Sequence, residues 1–76
     1  MFHVWQIGTH KVFCEGHNEK GEYFYVDGKT WRVTYDKVKD ENNRFVYSNV
    51  HGFSDYANLP MPLELEPVIL AALTMG

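Results

Sequence analysis

Apolar and polar positions alternate with period two through most of the first fifty residues, and that alternation predicts strands rather than helices. Phe2, Val4 and Gln6 alternate with His3, Trp5 and Ile7 in a β-branched and aromatic run that reads as a first strand ending at Gly8. The run 10–15 reads as a second strand, joined to the first by a Gly8-Thr9 hairpin, and the glycine-flanked polar segment 15–22 as a loop.

Asp27-Gly28 is the clearest local signal, because Asp-Gly between two β-rich runs suits a two-residue hairpin turn in which both central residues take positive φ. It predicts strands over 22–26 and 29–35, with Val26 facing Lys29, Tyr25 facing Thr30, Phe24 facing Trp31, Tyr23 facing Arg32 and Glu22 facing Val33. Alternation then puts Phe24, Val26, Trp31, Val33 and Tyr35 on one face, the expected core. Tyr23, Tyr25, Thr30, Arg32 and Thr34 fall on the other.

The charged segment 37–43 reads as a surface loop and 44–50 as a further strand. Residues 51–67 change character: three prolines and a glycine argue against a strand interior, so an irregular crossing is expected, with Ser54 or Asp55 capping a short turn. Pro67 suits a first helical turn, Glu64 and Glu66 suit the positive end of a helix dipole, and a helix is expected over 67–74. Val68, Ile69, Leu70, Ala71, Ala72, Leu73 and Met75 surround it with apolar groups, which predicts burial on all sides, either in the domain or in an interface. The expected fold is α+β: one domain over 1–76, a small antiparallel β-meander of four to five strands or a partly open barrel, with a short C-terminal helix.

Composition sharpens this picture. A chain of 76 residues buries only about 60% of the surface its unfolded form exposes, so one modest core is the most it can build. With 45% hydrophobic and 16% aromatic residues and a net charge of -3, the chain is too apolar and too weakly charged for disorder. The lone Cys14 closes no internal disulfide and favours a reducing, cytoplasmic setting. The longest apolar run, 68–73, is far short of a membrane span, and the N-terminus has neither the charged start nor the apolar stretch of a signal peptide. Residues 1–39 carry a net +1 and residues 40–76 a net -4. That balance disfavours phosphate-backbone binding, which needs clustered Lys and Arg, and an acidic tail fits a basic protein partner.

Candidate chemistry is sparse. His10, Cys14 and His17 are zinc-ligand types, with His3 or His51 as a possible fourth, but the clean ligand pairs of structural zinc sites are missing; no metal and no cofactor is expected. Cys14 with His17, or Ser54 with Asp55 and His51, has the residue types of a nucleophile and base without a supporting signature, so no catalytic residue is assigned and a small metal-binding or oligomeric enzyme ranks last. Tyr23, Tyr25 and Arg32, with Lys11 or Lys20 nearby, could stack single-stranded nucleic acid, and the negative charge argues against it. Tyr, Trp, Phe and Arg also concentrate at protein interfaces, and one sheet with one short helix can hide only about half of the rings. The leading expectation is therefore a non-enzymatic protein-binding module. It would act as a stand-alone inhibitor from a phage or mobile element, occluding a surface on a larger protein or complex through Tyr23, Tyr25, Thr30, Arg32 and Thr34. Self-association is the variant of that expectation, and a membrane is not an expected partner.

Overall fold

The computed structural model describes residues 3–19, 21–54 and 59–75. Five strands form one sheet in chain order: β1 (Val4–Ile7), β2 (His10–Asn18), β3 (Gly21–Val26), β4 (Lys29–Lys39) and β5 (Phe45–Ser54). Every neighbouring pair is antiparallel, so the sheet is a simple meander, and it curls into a half-barrel. A single turn of 3₁₀ helix, Leu63–Leu65, leads into α1 (Glu66–Met75). This is the expected α+β meander with its C-terminal helix.

The hairpin at Asp27-Gly28 forms as the residue pair demands. Asp27 has φ 48° and Gly28 φ 93°, both positive, and the five cross-strand partners from Glu22 opposite Val33 to Val26 opposite Lys29 are those the turn dictates. Asp27 also braces the turn against β2, since its Oδ1 accepts the Lys11 N–H at 3.0 Å.

Three segments expected to be irregular, 15–22, 37–43 and 51–67, are strand in part. β2 runs on to Asn18 and β3 begins at Gly21, so 15–22 is mostly sheet; a bulge between Cys14 and Gly16 absorbs the glycine and lets pairing resume at Gly16 opposite Tyr23. β4 continues through Lys37 and Lys39, whose ammonium groups lie 4.1 and 5.4 Å from the Phe45 centroid. The turn is confined to residues 40–44, where Asp40 Oδ1 accepts the N–H groups of Asn42 and Arg44, each at 2.9 Å. β5 passes through Gly52 to Ser54 because the returning chain needs the missing side chain there. A Cβ on Gly52 would lie 2.7 Å from Met61 Sδ. Ser54 is buried at the end of the strand, and the short turn that it or Asp55 was expected to cap lies outside the described residues. The prolines keep out of the ladder: Pro60 forms an isolated bridge to Phe53, Pro62 precedes the 3₁₀ turn and Pro67 sits in the first turn of α1.

The core lies between the concave face of the sheet and α1. Val12, Phe24, Val26, Trp31, Val33 and Val50 meet Met61, Leu65, Val68, Ile69 and Ala72. α1 therefore packs at home, chiefly on β5. It is not buried all round, though. Ile69 is 0% exposed while Leu70 is 36% and Met75 63% exposed, because the fold has no further layer to cover the far side of the helix. Tyr35, expected in the core, is only half-buried at its rim.

Candidate functional site

Two surfaces gather side chains with binding chemistry, one on each face of the sheet. On the outer face β2, β3, β4 and β5 stack their residues into cross-strand rows. In one row Phe13 lies opposite Tyr25 and Tyr25 opposite Thr30; the Phe13 and Tyr25 rings are stacked, 4.7 Å apart and inclined by 25°. In the next, Tyr23 lies opposite Arg32 and Arg32 opposite Phe53, with the guanidinium 5.5 Å from the Phe53 centroid. Thr34 follows, opposite His51.

Hydrogen bonds hold the margins of this patch. Thr30 donates through Oγ1 to Glu15 Oε1 at 2.6 Å, and Asn18 Nδ2 donates to the Tyr23 hydroxyl at 3.3 Å. Beside them the bulge at Gly16 opens a shallow groove of 310 Å³ bounded by Glu15, His17, Asn18, Tyr23 and Thr30. The five residues expected from the sequence thus stand on one face, and Phe13 and Phe53 join them. Phe13 was legible as a ring between the charged residues Lys11 and Glu15, at the solvent parity of its strand. Phe53 was not, because the glycine and prolines around it masked the last part of β5.

The concave face holds a second arrangement that no motif announced. Between α1 and the sheet, Trp5, Phe24, Tyr35, Tyr47 and Leu73 line a cleft of 210 Å³, together with Cys14, Glu22 and Lys37. Tyr35 donates its hydroxyl to Glu22 Oε1, and Cys14 Sγ lies 3.8 Å from Glu22 Oε2. Burial first, and then the Glu22 hydrogen bond, push the Tyr35 hydroxyl pKa up; burial also raises that of the Cys14 thiol, with Glu22 adding to it. Tyr35 meets Tyr47 edge to face at 5.3 Å. A sequence signal for this cluster existed: Glu22 shares the parity of Phe24 and Val26, and a carboxylate at a core-facing position is an anomaly that asks for an explanation.

The His10, Cys14 and His17 set does not converge. His10 pairs with Asp27, its Nδ1 2.5 Å from Oδ2, while Cys14 Sγ faces Glu22 and the exposed His17 lies opposite Glu22 across the β2–β3 pair. Among the described residues no three His, Cys, Asp or Glu side chains converge as a metal site would require. His51 and Ser54 lie an odd number of residues apart on one strand, which sends their side chains to opposite faces. Lys11 is exposed near the outer patch, and Lys20 lies outside the described residues. Among the described residues no helix is long and apolar enough to cross a membrane. Compared with protein-family models, curated proteins and solved structures, the chain finds no match.

Proposed function

We propose that the protein is a non-enzymatic binding module whose outer sheet face docks on a larger protein or protein complex. The observation that carries this reading is the pair of adjoining rows in which the Phe13–Tyr25 stack stands beside Tyr23 and the Arg32–Phe53 contact, on the side of the sheet opposite the core. The fold has already filled its interior with other residues. Rings and an arginine held in cross-strand register on a rigid surface are the composition and geometry in which interfaces concentrate their binding energy. In its finer form the proposal is an occluding inhibitor of the kind phages and other mobile elements encode, acting in the cytoplasm. A sheet face covers a partner's surface rather than enclosing a substrate, and the lone cysteine suits a reducing compartment.

Nucleic acid is the rival ligand. The stack argues against it, because Phe13 and Tyr25 each spend one ring face on the other, and the net charge of -3 works against phosphate contacts. Affinity capture from cell lysate with the whole chain, repeated with Tyr23→Ala and Arg32→Ala, separates the readings. One stoichiometric protein retained by the parent and lost from both folded variants is the expected result. Recovery of nucleic acid alone, falling steeply with added salt, would replace the protein partner with the stacking platform.

Self-association has its own observation. Beyond the bulge, β4 and β5 continue as a two-stranded arm on which Val38 faces Val46, and these are 59% and 44% exposed. Sedimentation over a range of concentrations would show a dimer if this arm pairs with a second copy.

A further inference from the structure

The concave cleft under the β4–β5 arm opens at the edge of the core and away from the outer patch, and its composition is specific. Glu22 brings a carboxylate to a lining that includes the rings of Trp5, Tyr35 and Tyr47. Among the described residues its two side-chain donors, the Tyr35 hydroxyl and the Cys14 thiol, are neutral. Among the described residues no Lys, Arg or His lies within ion-pair distance of it. Glu22 thus brings an acidic group to the cleft that a cationic ligand can match.

The rings around it supply the other half of cation recognition. Tyr35 and Tyr47 stand at 75° to one another, like two walls of a corner, and Trp5 adds a third aromatic surface. Aromatic faces attract ammonium groups through the ring quadrupole, most strongly where water is excluded. The chain uses the same interaction nearby, where Lys37 and Lys39 place their ammonium groups over Phe45. Lys37 also lines the cleft, with its ammonium group 4.1 Å from the Phe45 centroid. At 210 Å³ the cleft is smaller than the roughly 300–1,000 Å³ of sites for drug-sized ligands, so its occupant is a headgroup or a side-chain tip.

We infer that this cleft binds an alkylammonium group, a quaternary or methylated amine, with the cation seated against Trp5, Tyr35 and Tyr47 and its charge matched by Glu22. The site is independent of the outer-face interface, lying on the opposite side of the sheet. The group can come from a small molecule such as choline or from a methylated lysine on a protein tail.

The test is a nuclear magnetic resonance titration of the intact chain with choline, with a peptide carrying trimethyl-lysine, and with the neutral tert-butyl analogue of choline. Saturable shifts centred on the Trp5 indole, Glu22 and Tyr47 are expected with the cations and not with the neutral analogue. Tighter binding of the peptide than of choline would assign the group to a protein tail, and equal or weaker binding to a small molecule. Glu22→Gln and Tyr47→Ala should each weaken the cation about tenfold. Lys37→Met, which removes a positive charge from the cleft lining, should tighten it. The spectrum of each variant reports directly on its fold, and Tyr47 and Lys37 lie on the arm outside the core. Equal binding of the neutral analogue, no shift with any probe, or weaker binding in Lys37→Met would overturn the assignment.

Discussion

Asp27 ties two hairpins together: its Oδ2 lies 2.5 Å from His10 Nδ1, while its Oδ1 accepts the Lys11 N–H at 3.0 Å. One residue thus sets the β3–β4 turn and pins it to the first residues of β2. The Lys11 hydrogen bond above all, and then the His10 ring, hold the Asp27 carboxyl below the usual carboxylate range. An unfolded chain takes up this proton first, so the contribution is fully present above the unfolded pKa, about 4, and is lost as pH falls through the lower folded value. Asp27→Asn keeps a residue suited to the turn but removes the charge. Its melting temperature should fall below that of the parent at neutral pH, and the gap should close as the pH drops beneath about 4. Thermal unfolding followed by circular dichroism across that range checks both parts.

The two sides of α1 should respond unequally to truncation. Ile69 is fully buried against the sheet, and Ile69→Ala is expected to cost about 2–5 kcal/mol. For a chain of 76 residues that is a large part of a total stability of about 4–11 kcal/mol. Leu70, one position along, faces outward, and Leu70→Ala should stay within about 0.5 kcal/mol. Urea unfolding of both variants measures the contrast. Equal losses would mean that a second layer covers the helix in solution.

The stacked pair on the outer face can be weighed directly. Phe13→Ala, Tyr25→Ala and the double variant form a thermodynamic cycle, and the expected coupling is about 0.5–1.5 kcal/mol, the usual worth of an aromatic contact beyond its buried area. A coupling near zero would show that each ring is held by the sheet alone and that the stack adds nothing.

The cluster at Glu22 predicts two spectroscopic and chemical signatures. Because the folded Tyr35 pKa is raised, its ionisation in an ultraviolet pH titration should come above the ordinary tyrosine range. The stability this contributes is present below the unfolded value, about 10, and is lost as pH rises through the folded value. The Cys14 thiol, raised chiefly by burial, should alkylate more slowly at neutral pH than a model peptide thiol. Glu22→Gln should bring the Tyr35 titration down and speed Cys14 alkylation, since it removes the negative charge that opposes both ionisations.

What was readable along the chain was the part governed by neighbours. Period-two alternation identified the strands, and Asp27-Gly28 set the β3–β4 register residue for residue, because a two-residue turn leaves no freedom in which side chains oppose each other. The choice of Tyr23, Tyr25, Thr30, Arg32 and Thr34 as one outer face followed from that register alone. Long-range pairing decided the rest. The bulge after Cys14 and the strand extensions through Asn18, Lys39 and Ser54 depend on what lies alongside, so glycines and charges that signal loops in isolation were absorbed by a partner strand, a covering ring or the Met61 side chain. Phe13 reached Tyr25, and Cys14 reached Glu22, only once β2 lay beside β3. The depth at which α1 sits was likewise beyond local pattern. An apolar surface all round a helix states how much could be buried, whereas the single concave face of the sheet sets how much is.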